Sequence, residues 1–291
     1  MGGQPSKPSD FVKHETEIKI KNMEDDYEIA CKLWRPKGRI RAAALLIHGG
    51  SFSTGDRESN TFVADSLAAV TGTVIITASF RDGSSTTYET GKSISDLMAV
   101  VKYMKRRFYN EPFGVVGCSS GGFFAMKLCN QMDPGDIKFC IPLCPVSHPH
   151  ARAIYLNHCV AGTTPLSSGK DLYRVRHTKE KAQEIIGNQL QFFKSYKVMA
   201  DASEDVVDNV NRVPTLVILA SADKNVPSQV TQGVVDTWAT RAIIVEGTGH
   251  EINTAPPADL SKSYLPDVER FLRTVLKDDA YEPLWRIENV P

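Results

Sequence analysis

The segment that most constrains the fold of this chain is Gly117-Cys118-Ser119-Ser120-Gly121, which fits the pattern G-x-S-x-G. An apolar segment typical of a strand precedes it at 112–116, and an apolar segment that predicts a buried helix follows it at 122–129. A sharp turn between a strand and a helix needs small residues two positions before and two positions after its central residue. The pattern therefore predicts a strand–turn–helix unit that exposes the side chain of Ser119.

A serine hydroxyl becomes a nucleophile when a base takes its proton, and the base needs an orienting acid. In the chain order typical of this turn, the acid follows the serine and the histidine comes last. Asp223 follows a predicted strand at 213–220, and His250 follows a predicted strand at 241–246. Parallel α/β sheets carry their chemistry beyond the carboxyl ends of their strands. We therefore predict a catalytic set of Ser119, Asp223 and His250.

Asp223 and His250 also have alternative, purely structural interpretations. An aspartate after a strand often caps a helix, and a histidine in a glycine-rich loop often has no special role. The rival acids are Asp205, Asp208 and Glu251. The first two precede the strand, and Glu251 is adjacent to His250, so their side chains are expected to diverge.

A further apolar strand at 41–47 leads into His48-Gly49-Gly50-Ser51-Phe52. Acyl transfer places negative charge on a former carbonyl oxygen, and amide N–H groups must already point to that position. A glycine-containing loop lets the backbone come close enough. We predict an oxyanion hole formed by the amides of Ser120 and Gly50, with Ser51 as a third donor, and a structural role for His48.

These segments together resemble the α/β-hydrolase-fold serine hydrolases. The His48–Phe52 segment is similar to the His-Gly-Gly loops of esterases related to hormone-sensitive lipase and of dienelactone-hydrolase-like enzymes. The stretches 215–227 and 246–253 resemble the acid and histidine segments of the latter group and of prolyl-oligopeptidase-like hydrolases. The resemblance runs from about residue 15 to about residue 278. It implies an α/β-hydrolase fold, a mostly parallel twisted sheet with helices on both faces.

About 65 residues, 145–211, separate two predicted strands of this sheet. A connection of that length is usually functional, and its position after the strand that follows the turn resembles the cap of α/β hydrolases. Such a cap would cover Ser119 and exclude water. The alternative is an ordinary surface excursion with a helix packed on the core. The predicted pocket residues are Phe52, Cys118, Phe192, Phe193 and Tyr196.

The rest of the chain predicts a loose N-terminal arm over 1–14 and a single domain over 15–291. An edge strand is predicted at 16–21, with a hairpin partner at 27–34. Helices are predicted at 61–70, 91–108 and 264–277. With 291 residues, 42% of them hydrophobic, the chain can bury a sizeable core.

The charge balance and the targeting signals of the sequence limit the kinds of partner that we predict. The 34 basic and 34 acidic residues balance, which disfavours nucleic acid as a partner. The absence of a signal peptide or an apolar span predicts a cytoplasmic protein without stable membrane insertion. The first six residues match the N-myristoylation pattern at Gly2, for which a flexible polar tail is the alternative. The amphipathic C-terminal tail at 281–285 is predicted either to cover a sheet edge or to contact a second subunit in a homodimer.

The cysteines and histidines predict neither a disulfide framework nor a metal site. All six cysteines lie in or beside apolar segments, which is typical of buried reduced thiols. Cys140 and Cys144 are predicted on one face of a buried strand. The run of Cys140, Cys144, His148, His150, His158 and Cys159 lacks the paired spacing of zinc sites.

The predicted function is hydrolysis of a small-molecule carboxylic ester through an acyl-enzyme, with no cofactor. The same three residues would serve a peptidase, an amidase, a thioesterase, or a biosynthetic acyltransferase, lyase or cyclase. A binding protein on this fold is a further alternative, although such proteins typically lose a member of the catalytic set.

Overall fold

The computed structural model describes residues 7–52, 54–81, 90–146, 208–226, 231–253 and 263–282. Within them one sheet of eight strands forms the centre of the protein. The strands are β1 (Val12–Lys21), β2 (Glu28–Pro36), β3 (Ala42–Ile47), β4 (Thr73–Ser79), β5 (Phe113–Cys118), β6 (Phe139–Leu143), β7 (Leu216–Ala220) and β8 (Arg241–Val245).

Helices connect these strands. They are α1 (Thr61–Thr71), α2 (Thr90–Arg107), α3 (Ser120–Gln131), α4 (Gln232–Trp238) and α5 (Leu265–Leu276). Two short 3-10 turns, Pro8–Phe11 and His250–Asn253, complete the regular structure of the described residues. None of the helices described here combines the length and the hydrophobicity that a membrane span requires.

The strand order β1-β2-β4-β3-β5-β6-β7-β8 explains where the loops meet. The strands from β4 across to β8 run parallel, while β1 and β2 form an antiparallel hairpin at one edge. After β3 the chain continues to β4 on one side, and after β5 it continues to β6 on the other. The sheet therefore has a topological switch point between β3 and β5, where α/β sheets form their binding crevice.

Both faces of the sheet are buried, which is why its central strands are apolar along their whole length. Successive side chains of β3 alternate between the two faces. Leu45 belongs to the core beneath α2, α3 and α4, whereas Leu46 belongs to the core beneath α1 and α5. These two layers hold the carboxyl ends of β3 and β5 in place.

Most predicted elements agree with the structure, and the N-terminal segment differs from its prediction. The strand predicted at 42–47 matches β3, and the helix predicted at 91–108 matches α2. The loose arm predicted over 1–14 does not hold beyond residue 7, because Pro8–Phe11 forms a 3-10 turn and β1 begins at Val12. Phe11 and Val12 are buried in the core beneath α1, and Val12 pairs with Pro36 of β2.

Several predictions fall on residues outside the described ones. Gly2, most of the proposed cap, and the pocket candidates Phe192, Phe193 and Tyr196 are among them. The five described cysteines are all buried, as the sequence predicted.

The burial of Phe11 predicts a measurable loss of stability for Phe11→Ala. Removing a buried aromatic ring should lower the free energy of unfolding by about 3 kcal/mol. Met23→Ala is the control, because Met23 is 83% exposed and its truncation should have little effect. Urea denaturation of both variants measures the difference. Equal stabilities of the two variants would mean that the N-terminal turn does not pack as described.

Candidate active site

The turn between β5 and α3 holds Ser119 in a backbone conformation that few residues adopt. Its φ is 54° and its ψ is −118°. A Cβ atom on Gly117 would overlap with the carbonyl group of Gly121, and a Cβ atom on Gly121 would overlap with the carbonyl oxygens of Ile47 and His48. The two glycines of the pattern therefore let α3 start directly against β5 and the end of β3.

The strand that follows α3 fixes the orientation of this turn. The Ser119 N–H donates to the carbonyl oxygen of Leu143 at 2.9 Å. The Ser119 carbonyl oxygen accepts from the N–H groups of Gly122 at 2.9 Å and Val146 at 3.0 Å. Both polar backbone groups of Ser119 are thus bonded within the protein, which offsets the unfavourable φ.

The three residues predicted to act together meet at the carboxyl edge of the sheet. The Nε2 atom of His250 lies 3.0 Å from the Ser119 Oγ, and the Nδ1 atom of His250 lies 2.7 Å from the Asp223 Oδ2. A carboxylate only accepts, so Nδ1–H donates to Asp223 and Nε2 is left to accept the Ser119 proton. The arrangement can therefore move a proton from the serine hydroxyl to the imidazole.

Asp223 is held as a carboxylate in a buried position. Its Oδ1 accepts from the N–H groups of Asn225 and Val226, each at 2.8 Å. Burial favours the neutral acid, but the hydrogen bond and charge of His250, together with the two backbone amides, outweigh it and lower the pKa of Asp223. The acid therefore remains charged beside the imidazole.

The loop after β3 lies against the serine turn. Gly50, Ser51 and Phe52 have φ values of 112°, 54° and 66°, three left-handed conformations in succession. The Gly50 carbonyl oxygen accepts from both the N–H and the Oγ1 hydroxyl of Thr54, each at 3.1 Å. The Phe52 N–H donates to the Ser120 Oγ at 3.3 Å, which ties the loop to the start of α3.

His48 and Glu251 have contacts of their own. The Nδ1–H of His48 donates to the Gly49 carbonyl oxygen at 2.7 Å, and the ring stacks on Phe80 with a centroid distance of 4.6 Å. These contacts fit the structural role predicted for His48. The rival acid Glu251 accepts instead from the N–H of Gly249 at 2.8 Å, whereas Asp223 faces His250.

Two predicted pocket residues have buried side chains. Phe52 packs edge-to-face against Phe123 and Phe124, with ring centroids 5.5 and 5.6 Å away. Cys118 is fully buried, and this burial raises the pKa of its thiol to about 12. The packing of both residues favours a role in the core over the predicted contact with substrate.

Cys144 lies beside the site, although it is not among the predicted catalytic or pocket residues. Its Sγ, an oxygen of Asp223 and a ring nitrogen of His250 all lie within 4.8 Å of one another. The prediction that Cys140 and Cys144 share a strand face is wrong, because the two belong to the cores on opposite faces of the sheet. Cys144 follows the last residue of β6 with a φ of 43°. The sequence feature that could have identified Cys144 is its position directly after β6, the strand next to the serine turn.

Comparison with known proteins identifies the fold. Residues 44–224 match the family model of the alpha/beta hydrolase fold. Among curated proteins, none matches the sequence.

Similar solved structures are named as esterases. They include an esterase from Pyrobaculum calidifontis, with 19% identity, 91% of this chain and 85% of that chain covered, and a TM-score of 0.57. A thermostable carboxylesterase from a metagenomic library, EstE1, has 20% identity, coverages of 91% and 89%, and a TM-score of 0.59. Est1E from Butyrivibrio proteoclasticus, solved with ferulic acid bound, has 21% identity, coverages of 90% and 100%, and a TM-score of 0.63. At these identities the likeness shows the fold.

The lowered pKa of Asp223 predicts a pH dependence of stability. Above the ordinary aspartate pKa of about 3.9, the charged carboxylate adds its full stabilisation to the free energy of unfolding. This stabilisation is lost as the pH falls through the lower pKa that Asp223 has in the folded protein. The matched variant is Asp223→Asn, which keeps the shape and can still accept hydrogen bonds. Wild type should exceed it in unfolding free energy at about pH 5, and the gap should shrink below about pH 4. Urea denaturation across this range measures the gap; an unchanged gap at low pH would contradict the prediction.

Proposed function

Because the chain belongs to the α/β-hydrolase fold family, we propose that it is a serine hydrolase that cleaves a carboxylic ester through an acyl-enzyme intermediate. The observation that carries the proposal is the pair of hydrogen bonds made by His250. Its Nε2 atom lies 3.0 Å from the Ser119 Oγ, and its Nδ1 atom lies 2.7 Å from the Asp223 Oδ2. The unusual backbone of Ser119, maintained by its neighbours, is the conformation of a nucleophile elbow.

In the acylation step, the Ser119 Oγ attacks the ester carbonyl carbon while His250 Nε2 takes the hydroxyl proton. The imidazolium that forms is stabilised by the Asp223 carboxylate, which also fixes the tautomer of the ring. When the tetrahedral intermediate collapses, the carbon–oxygen bond to the leaving group breaks, and His250 returns the proton to the departing alkoxide. Ser119 then carries the acyl group.

Deacylation repeats the sequence with water as the nucleophile. His250 takes a proton from water as the water oxygen attacks the acyl carbonyl, and it then gives that proton to the Ser119 Oγ as the acyl–serine bond breaks. The products are the carboxylic acid and the regenerated serine. No step requires a cofactor.

We assign the oxyanion hole to the amides of Ser120, Ser51 and Gly50. Two backbone orientations support this assignment. The Ser119 carbonyl is bonded to Gly122 and Val146, so the Ser120 N–H, on the opposite side of the same planar peptide, points away from them. The Gly50 carbonyl is bonded to Thr54, so the Ser51 N–H likewise points the other way. The Gly50 amide remains a prediction from the sequence.

The choice of an ester over other acyl substrates rests on the relatives. The similar structures named above are described as esterases or carboxylesterases. The Ser–His–Asp geometry alone serves any acyl transfer. A carboxylic ester is therefore the substrate class that we propose.

The proposal predicts that Ser119→Ala loses turnover of p-nitrophenyl esters by at least about 1000-fold, because the variant lacks the atom that carries the acyl group. Initial rates with acyl chains from acetyl to dodecanoyl measure the loss. Ser66→Ala is the matched control, since Ser66 is a buried serine of α1 that is separate from the site. Its rates should equal those of the wild type.

Wild-type rates in a folded Ser119→Ala protein would contradict the mechanism. Labelling by a fluorophosphonate gives an independent test, because the reagent bonds covalently to an activated serine oxygen. Wild type and Ser66→Ala should be labelled, and Ser119→Ala should not.

A further inference from the structure

The short segment after β6, residues 144–146, contacts several parts of the proposed active site. The Val146 N–H donates to the Ser119 carbonyl oxygen at 3.0 Å. A Cβ atom on Gly122 would lie only 2.5 Å from the Cβ of Pro145, so the proline packs directly on the start of α3. Cys144 lies beside Asp223 and His250. The segment thus bridges the serine turn and the acid–base pair.

The backbone determines where the Cys144 side chain lies. Its N–H donates to the carbonyl oxygen of Ile218 in β7 at 2.8 Å, and its φ is 43°. A residue other than glycine is uncommon in this left-handed conformation. The strand that precedes Asp223 therefore anchors Cys144, and the left-handed turn sets the direction of its thiol.

The thiol is buried and in its neutral form. Burial, followed by the charge of Asp223, raises the pKa of the Cys144 thiol, so that the sulfur keeps its proton. A neutral S–H group is a weak hydrogen-bond donor. Cys144 as a residue is 1% exposed, which leaves it no surface with which to contact a substrate.

We propose that Cys144 is a positioning residue for the acid of the site: its S–H group interacts with the Asp223 carboxylate and keeps it facing His250. The thiol adds a side-chain donor to the two backbone amides, of Asn225 and Val226, that bond the Oδ1 atom of the carboxylate. This inference rests on the proposed function, because positioning of the acid matters only if His250 acts as the base.

The test compares three variants in ester hydrolysis. Cys144→Ala should lower kcat about tenfold, the expected effect of removing a donor to a charged group, and should leave KM unchanged. Cys144→Ser, which restores a donor, should recover kcat to within about twofold of the wild type. Cys140→Ala is the matched control, since Cys140 is a fully buried cysteine of β6, the strand that Cys144 follows, and lies in the opposite core. Its kcat should equal that of the wild type.

A second readout follows the hydrogen bond itself. The Nδ1 proton of His250, bonded to Asp223, can be observed by NMR as a far-downfield resonance. Its chemical shift should move in Cys144→Ala and should match the wild type in Cys144→Ser and Cys140→Ala. If Cys144→Ala does not fold, Cys144→Gly replaces it, because glycine adopts the left-handed conformation without strain.

The outcomes separate the two proposals. An unchanged kcat in the variant without the thiol, an equal loss in Cys140→Ala, or no recovery in Cys144→Ser would each overturn the role of Cys144. If the wild type showed no Ser119-dependent turnover, the proposed function would fail, and the Nδ1 resonance alone would decide whether Cys144 positions the acid.

Discussion

The close approach of three backbone segments at the switch point of the sheet is the constraint on which the site depends. The end of β3, the end of β5 and the start of α3 come so near to one another that a side chain at Gly117 or Gly121 would overlap with backbone atoms. Only this approach holds Ser119 with its polar backbone groups bonded and its hydroxyl directed to His250. The two apolar cores on either face of the sheet keep these segments together.

The parallel sheet brings two side chains that are far apart in the sequence within hydrogen-bonding distance. Ser119 and His250 are 131 residues apart, yet their side chains lie 3.0 Å from each other because β5, β7 and β8 end at the same edge. β6 lies between β5 and β7, so the residues that follow it are placed between the serine turn and the acid. This position explains why the 144–146 segment can contact both.

The sequence predicted this framework well where a pattern was local. An apolar run was enough to predict β3, and the spacing of two glycines around Ser119 was enough to predict the sharp turn. Prediction failed where burial depended on partners far along the chain. Phe11 and Val12 follow a polar stretch, and their packing beneath α1 together with the pairing to β2 orders them. Phe52 stays a predicted pocket residue, but the sequence did not indicate that the left-handed loop packs its ring against Phe123 and Phe124.

By itself, the sequence determined the order of strands and helices, the identity of the serine at the turn, and the positions of an acid and a histidine after later strands. These features follow from local periodicity and from glycines that only a sharp turn requires. The tertiary structure decided which acid faces His250, how the Ser51 and Ser120 amides are oriented, and that Cys144 lies beside Asp223. Those outcomes depend on the order and register of strands in the sheet, and strand order is set by packing between segments that are far apart in the chain.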